Sequence, residues 1–275
     1  MGTRSEEKAK AAIEQLRASG LGDKADNIVW LDIDLTYPRK AKEAAEFILA
    51  HEQRLDILIN NAGKQVTPWS RTSDGISDSM AINHLSPFVF TNTLLPLMKM
   101  TAQLPSSDVR IVNVSSMVYS WIDKPKYDSL EAFNSDFNSA FNPRMDLYCY
   151  TKLANILHAK ELQKRLDVDN VPIIVTSIHP GGVWTDGAQA YLKTLPFRRL
   201  WLGILWIFLV PPERGADTSV FAAVSPVIRA NPGKYKGEYL VPVGKLKTLN
   251  AHARNPQLAK DLWETSEKQL ASLQS

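Results

Sequence analysis

The sequence predicts an α/β fold in which a mostly parallel sheet is covered by helices on both faces. Short, nearly continuous apolar runs such as Leu55–Ile59 and Ile173–Ile178 are typical of strands buried on both sides. Longer stretches such as Ser5–Ser19 place their apolar residues at helical spacing. No repeat, low-complexity tract or linker divides the 275 residues, which are 44% hydrophobic, so a single domain over 1–275 is the economical interpretation.

The N-terminal half alternates helix and strand. A helix over Ser5–Ser19 repeats apolar residues at i, i+3, i+4 and i+7, and Gly20 supplies its stop. A strand over Ile28–Leu35 follows, and Pro38 suits the first turn of a second helix. The next predicted elements are the strand Leu55–Ile59, a helical zone over Ser77–Thr101 and the strand Val109–Val114.

The C-terminal half continues the alternation. A helix carries Tyr148 and Lys152, and Asn255-Pro256, an N-cap followed by a proline at the first helical position, opens a last helix that runs to about Leu273. Between these two helices we predict the strand Ile173–Ile178, a helix around Glu213–Ala223 and the short strand Gly237–Val241.

The totals exclude several classes of function. The net charge is only +3 and the basic residues are scattered, so neither nucleic acid nor an acidic membrane surface is expected as a main partner. The single cysteine, Cys149, excludes an internal disulfide, and no cluster of His, Cys or Asp has the spacing of metal ligands. The N-terminus has no apolar signal segment, so the chain is expected in the cytoplasm.

Tyr148 and Lys152 stand four positions apart in their helix and therefore share one face. A lysine cation beside a phenol favours the phenolate. Lys152 is thus expected to lower the pKa of Tyr148 toward neutral pH, which acid–base catalysis by a tyrosine requires. Alone, the pair is no more than a common arrangement on solvated helix faces.

Polar motifs follow the carboxyl ends of several predicted strands, where open α/β sheets bind ligands. Singly, each has a structural explanation as a turn, a loop or a polar strand end. Together, and in this order, they resemble the short-chain dehydrogenase/reductase family from Arg4 to the C-terminal helix. The motifs are Asn60-Asn61-Ala62-Gly63, Ser115-Ser116, the helix of Tyr148 and Lys152, and Pro180-Gly181-Gly182-Val183-Trp184-Thr185.

A closer likeness is to the retinol-dehydrogenase-like and WW-domain-oxidoreductase-like branch of that family. It rests on three runs of residues and on the long interval between Ser116 and Tyr148. The runs are Asn83-His84-Leu85, Tyr148-Cys149-Tyr150-Thr151-Lys152-Leu153-Ala154-Asn155 and Gly215-Ala216-Asp217-Thr218.

The resemblance implies a role for each matching residue. Tyr148 is the proton donor or acceptor on the substrate oxygen, and Lys152 lowers its pKa and holds the nicotinamide ribose. Ser116 hydrogen-bonds the reacting carbonyl, and Asn83 carries a proton relay toward solvent. The other implied cofactor contacts are Asn61, Ala62 and Gly63 at the ribose, Asp34 and Leu35 at the adenine, Val183 and Thr185 at the carboxamide, and Pro180 and Gly181 in the same loop.

The implied activity is that of an NADP(H)-dependent oxidoreductase that interconverts a lipophilic alcohol and its carbonyl compound by hydride transfer. Arg4 is placed where members that prefer NADP over NAD hold the 2′-phosphate, although a solvated arginine near a terminus explains it equally well. The rival interpretation is a non-catalytic binding relative with impaired cofactor binding.

The front of the chain departs from the family. Members begin with a strand and a Gly-x-x-x-Gly-x-Gly turn that cradles the pyrophosphate, and the sequence contains no such motif. The expected fold is therefore a Rossmann-like doubly wound parallel sheet lacking its first strand, Gly-rich turn and first helix. Ile28–Leu35 then loses its neighbour and Leu55–Ile59 becomes an exposed apolar edge. A shortened gene prediction, an isoform and a degenerate relative compete as explanations, and the intact catalytic residues favour the first.

Two segments are expected to shape the substrate site. An insert at 118–146 and a lid at 184–211 are rich in aromatic residues, which favours a bulky lipophilic substrate. The apolar run Leu200–Val210 is shorter than the roughly 20 residues that span a bilayer as a helix. A peripheral membrane contact through 200–210 is the second interpretation of that run. The oligomeric state, monomer or homo-oligomer, stays open.

Overall fold

The computed structural model describes residues 1–184, 189 and 209–272, which fold around two parallel or mostly parallel sheets. A five-stranded sheet has the order β3-β4-β5-β6-β7, parallel except for the last strand. The strands are β1 (Gly2–Thr3), β2 (Leu31–Asp32), β3 (Ile57–Asn60), β4 (Val109–Val114), β5 (Ile173–Ile178), β6 (Tyr239–Val241) and β7 (Lys245–Leu246).

The centre of the large sheet is the pair β4 and β5. The two strands run in register from Val109 opposite Ile173 to Val114 opposite Ile178, and every residue in both is buried. Complete burial follows from helices on both faces, as nearly continuous apolar strands predict. The α/β class with a parallel sheet is therefore confirmed, and the antiparallel hairpin strand β7 is an addition that the sequence did not indicate.

The front sheet, formed by β1 and β2 alone, is separate from the large sheet. The predicted strand Ile28–Leu35 is wrong outside Leu31–Asp32, because only Gly2 and Thr3 lie beside it to pair. β3 forms the edge of the large sheet, and its Ile59 side chain is 40% exposed. The exposed apolar edge expected from the sequence is thus present.

Helices cover the two faces of the large sheet. The helices are α1 (Glu6–Leu16), α2 (Pro38–His51), α3 (Asp78–Met80), α4 (Ser86–Ala102), α5 (Leu130–Phe133), α6 (Pro143–Val168), α7 (Pro212–Gly215), α8 (Asp217–Val224), α9 (Pro226–Ala230), α10 (Pro232–Tyr235) and α11 (Pro256–Ser272). One core cluster joins α2, α4 and α6 to β3, β4 and β5, and another joins β4, β5 and β6 to α8 and α9.

The predicted helix Ser77–Thr101 is divided. A π-turn over Ala81–Leu85 separates α3 from α4. Pro87 has no N–H to donate to the carbonyl of Asn83, so the regular α-helical pattern cannot continue from that residue. The interruption falls at the asparagine that the sequence places in the candidate site.

None of the helices within 1–184 and 209–272 has both the length and the apolar character needed to cross a bilayer. The longest, α6, has 26 residues, but it carries buried polar side chains on the face that meets the sheet. Those side chains include Lys152, and the half-buried Tyr148 lies one turn before it, because α6 runs along the sheet beside the carboxyl end of β4.

Candidate active site

The carboxyl ends of β3, β4 and β5 lie at one edge of the sheet, since the three strands are parallel and in register. The loops that follow them carry Asn61, Ser116 and Gly181. Each strand stops where its apolar run gives way to small or polar residues, which leaves these loops free to form a site. The expected meeting of these motifs at one edge is confirmed.

The Ser116 side chain lies close enough to the Tyr148 phenol across this edge to lower the pKa of that phenol. Ser116 begins the turn after β4, and Tyr148 projects from α6, which starts at Pro143 behind the N-cap Asn142. Both residues are half-buried. The two hydroxyls therefore lie side by side, as required of groups that share one substrate oxygen.

Burial raises the pKa of Tyr148 to about 12, and the Ser116 side chain lowers it only in part. The net shift is upward, so the expected lowering of the Tyr148 pKa toward neutral pH is not found. The Lys152 Nζ atom lies 5.6 Å from the centroid of the Tyr148 ring, yet desolvation of the phenolate is the larger effect. Tyr148 is accordingly protonated at neutral pH.

Lys152 is almost completely enclosed, with 5% of its surface exposed. Burial lowers the pKa of its ammonium to about 8. Its Nζ donates a hydrogen bond of 3.1 Å to the carbonyl oxygen of Val114, the last residue of β4. Asn155 donates to the same oxygen at 3.1 Å, and Ser115 donates to the carbonyl of Lys152 at 2.6 Å. The end of β4 thus fixes the lysine within its helix.

Asn83 lies in the π-turn and is 2% exposed. Its amide nitrogen donates to the carbonyl of Lys64 and to the hydroxyl of Thr151, each at 2.9 Å. Its amide oxygen accepts the backbone N–H of Lys64. Thr151 precedes Lys152 on α6, so Asn83 joins the loop after β3 to the catalytic helix.

The space around Gly63 shows whether the site fits a nicotinamide ribose. A Cβ at this position would lie 3.2 Å from the Asn83 Oδ1 atom and 3.4 Å from the Lys152 Nζ atom. The bare backbone therefore lets the turn approach the ammonium closely, and Asn61 and Ala62 beside it are exposed. These features fit the ribose end of a dinucleotide.

Of the residues expected at the adenine end of the cofactor, Arg4 and Asp34 lie together, whereas Leu35 lies apart from them. Arg4 and Asp34 line one cleft of about 570 Å³ between the front sheet and α2. The Asp34 carboxylate accepts the N–H of Thr36 at 2.9 Å. Leu35 does not line this cleft, because its side chain packs against the core and its carbonyl accepts a hydrogen bond from Ser86.

The loop after β5 begins with His179 and contains Pro180 and Gly181, and the φ of 94° at Gly181 favours glycine. Val183 forms a bridge with Val210, and its side chain meets the backbone at Gly215 closely. The two ends of the expected lid are thereby joined. Thr185 lies outside the described residues, as does most of the lid at 184–211, including the run Leu200–Phe208.

The aromatic residues of the insert at 118–146 divide into two groups. Tyr119, Tyr127 and Phe133 are buried in a core cluster with α6 and α11 rather than lying over the mouth of the site. Trp121 is 60% exposed and Phe141 is fully exposed, and each lies near an element that carries a catalytic candidate. That Trp121 and Phe141 cover the mouth of the site stays a prediction.

Two residues of the site were missed by sequence reasoning. Lys64 and Thr151 hold Asn83, but they do so through a backbone group and a hydroxyl that no motif requires. The only available signal was position, since Lys64 directly follows Gly63 and Thr151 directly precedes Lys152.

Comparison with known proteins points to one family. The family model described as short chain dehydrogenase matches residues 1–128. A short-chain dehydrogenase/reductase of Armillaria gallica is 48% identical over 267 residues, which cover 97% of this chain and 83% of the relative. Human retinol dehydrogenase 14 is 34% identical over 281 residues, which cover 97% of this chain and 77% of that protein.

Solved structures share the fold at lower identity. The NADPH-bound carbonyl reductase from chicken fatty liver superposes with a TM-score of 0.56 at 22% identity, over 90% of this chain and 86% of that one. Gluconate 5-dehydrogenase from Burkholderia cenocepacia, in complex with NADP and tartrate, gives 0.60 at 20% identity, over 89% and 83%.

Proposed function

The chain belongs to the short-chain dehydrogenase/reductase family of oxidoreductases, and from this premise we propose that it interconverts a lipophilic alcohol and its carbonyl compound with NADP(H). The observation that carries the proposal is the position of the enclosed Lys152 ammonium, 5.6 Å from the centroid of the Tyr148 ring, with Ser116 close enough to lower the pKa of the Tyr148 phenol. This set supplies a hydroxyl donor, a protonated phenol and a cation at one point, which is what carbonyl reduction requires as charge develops on oxygen.

In the proposed reaction, the hydroxyls of Ser116 and Tyr148 both bond the carbonyl oxygen of the substrate. When bound, the nicotinamide supplies the hydride that reaches the carbonyl carbon. Tyr148 gives its proton to the oxygen, and its pKa of about 12 keeps it protonated for this step at neutral pH. Lys152 stabilises the phenolate that remains, and Asn83 holds the neighbouring loop. The oxidation of an alcohol reverses these transfers.

For the cofactor we propose NADP(H) rather than NAD(H). Arg4 lines the cleft beside Asp34 and is the cation that we assign to a 2′-phosphate, because Lys40 in the same lining is paired with Glu43 at 2.6 Å. Replacing Arg4 by Ala is expected to raise the KM for NADPH about tenfold and to leave the KM for NADH unchanged, since one charge-assisted contact contributes roughly 1.5–3 kcal/mol. Equal effects on both cofactors would contradict the role of Arg4.

For the substrate we propose a bulky lipophilic compound. Met117 and Trp121, in the turn directly after Ser116, are 57% and 60% exposed, and Phe141 near the start of α6 is fully exposed. Apolar side chains around the mouth match an apolar ligand. The relatives named retinol dehydrogenases support the same substrate class.

The segment 184–211 is proposed as the substrate lid, with a peripheral membrane contact through 200–210 as the second candidate. The second candidate is tested by flotation with liposomes of neutral and of anionic lipid. Flotation of the wild-type chain that is lost on replacing Trp201 and Trp206 by Ser supports a membrane contact. Failure of the wild-type chain to float removes it.

The proposal is tested by titrating the protein with NADPH and NADH and by following cofactor oxidation with matched lipophilic and small polar carbonyl compounds. NADPH-dependent turnover of the lipophilic compounds is expected. Turnover of small polar carbonyls alone would contradict the substrate class. A protein that binds neither cofactor and turns over nothing would favour the rival interpretation of a non-catalytic relative.

A further inference from the structure

The backbone of Lys64 forms hydrogen bonds with both the oxygen and the nitrogen of the Asn83 side-chain amide. The N–H of Lys64 donates to the Asn83 amide oxygen, and the Asn83 amide nitrogen donates to the Lys64 carbonyl at 2.9 Å. The same nitrogen donates to Thr151 on α6 at 2.9 Å. The position of the Lys64 backbone therefore decides where the loop after β3 lies relative to α6.

The side chain of Lys64 is itself fixed. Its ammonium forms an ion pair with the carboxylate of Asp78, and the two side chains are only 23% and 12% exposed. Ser70 and Ser79 also donate hydrogen bonds to this carboxylate. A pair shielded from water in this way is less screened than a surface pair and is satisfied on several sides. Asp78 begins α3, five residues before Asn83, so the ion pair joins the loop after β3 to the segment that carries Asn83.

We infer that the Lys64–Asp78 ion pair is a positioning device that sets Asn83 and the Asn61–Gly63 turn against Lys152. The tolerance here is small, because a Cβ at Gly63 would already lie 3.4 Å from the Lys152 Nζ atom and 3.2 Å from the Asn83 Oδ1 atom. Without the ion pair, the turn is free to move away from the ammonium. Lys64 and Asp78 are positioning residues in this scheme, and their effect on turnover rests on the function proposed above.

The test uses the full chain and the variants Lys64→Met, Asp78→Asn and their combination. Each single variant is expected to lower kcat about tenfold to a hundredfold, as misplacement of a site by about 1 Å does. The KM for the carbonyl substrate is expected to stay within about twofold, because neither residue contacts the substrate. The double variant is expected to match the singles, since the two residues act as a unit.

Two controls distinguish positioning from a general loss of structure. Lys99→Met removes an ion pair with Asp169 whose side chains are 37% and 55% exposed, and it should leave kcat unchanged. Lys64→Arg keeps the charge and should restore most of the kcat lost in Lys64→Met. A normal kcat in Lys64→Met, or a rise in KM alone, would overturn the inference.

Amide hydrogen exchange tests the positioning role of the Lys64–Asp78 ion pair without requiring enzyme activity. Segments 60–71 and 79–86 should exchange several-fold faster in Lys64→Met and in Asp78→Asn than in the wild-type chain or in Lys99→Met. If the wild-type chain reduces no carbonyl but shows this pattern, the proposed function fails and the positioning inference stands. Unchanged exchange in both segments would overturn the inference whatever the activity.

Discussion

The candidate catalytic residues and the front sheet of this molecule are held in opposite ways. Asn83 and Lys152 are 2% and 5% exposed, and each is bonded to a neighbouring element. The front sheet consists of two strands of two residues each, and Val29 just before β2 is 71% exposed. The groups proposed to handle protons are thus fixed by the core, whereas the cleft proposed for the adenine end lies against a small and separate sheet.

Burial that fixes the catalytic residues also penalises their charges. The pKa of Tyr148 is raised to about 12 and that of Lys152 is lowered to about 8, both chiefly by desolvation. Asp32, the charged residue within the front sheet, is exposed. Burial in the candidate active site therefore lowers stability while it holds the side chains in a defined geometry. The variants below separate the effect on stability from the effect on activity.

Tyr148→Phe should have the largest effect on activity. Loss of the proton donor is expected to lower kcat by about 10²- to 10⁴-fold, the usual contribution of a positioned acid or base. The ring keeps its packing, so the melting temperature and NADPH binding should change little. Steady-state kinetics and thermal unfolding check both statements, with Tyr150→Phe as the control, because that neighbouring hydroxyl bonds only backbone carbonyls of the insert.

Lys152→Met should lower kcat by at least about 10²-fold and yet stabilise the fold. Removing a buried charge is expected to raise the free energy of unfolding by about 1–3 kcal/mol. The Val114 carbonyl keeps its hydrogen bond from Asn155, so no buried acceptor is left without a donor. Denaturant unfolding at pH 7 measures the change. A destabilised variant would show that the ammonium contributes more through its contacts than burial costs.

The pH dependence of carbonyl reduction should follow Lys152. Its lowered pKa of about 8 means that the ammonium is present below that pH and is lost as the pH rises through it. Tyr148 stays protonated throughout this range, so kcat is expected to decline through pH 8 rather than to rise. A profile of kcat from pH 6 to pH 10 tests this sign. A rate that rises toward an apparent pKa near 8 would assign that titration to the phenol instead.

The smallest effects belong to the exposed edge of the large sheet. Ile59→Lys places a charge on the open face of β3 and should change the free energy of unfolding by no more than about 0.5 kcal/mol while reducing aggregation. Its neighbour Leu58 is 8% exposed and faces the core, so Leu58→Lys should unfold the protein. Equal destabilisation by the two variants would mean that the edge is covered in solution.

Much of the sheet could be predicted from the sequence, because buried parallel strands are nearly continuous apolar runs. β4 and β5 were predicted to the residue. The predicted strand Ile28–Leu35 failed because strand length depends on the partner, and its partner in the structure has only two residues. The π-turn does not follow from the helical pattern of Ser77–Thr101, because the interruption comes from the N–H that Pro87 lacks and not from the spacing of the apolar residues.

The sequence predicted which residues form the candidate site, but it did not predict how their pKa values shift. The sequence placed Asn83, Ser116, Tyr148 and Lys152 at one edge of the sheet, and the structure brings them together there. The direction in which the pKa of Tyr148 shifts could not be predicted from the sequence, because desolvation depends on packing that only the folded chain provides. Leu35 was assigned to the adenine by resemblance, whereas its side chain belongs to the core.

The central claim is that Tyr148 gives the proton while NADPH gives the hydride to a lipophilic carbonyl compound. The most direct measurement is mass spectrometry of the alcohol formed from a long-chain aldehyde and NADPH deuterated at the transferable position of the nicotinamide. The wild-type chain should yield alcohol carrying one deuterium on the former carbonyl carbon, and Tyr148→Phe should yield at least about a hundredfold less of it in the same time. Equal yields from the two proteins, or no labelled alcohol from the wild-type chain, would contradict the claim.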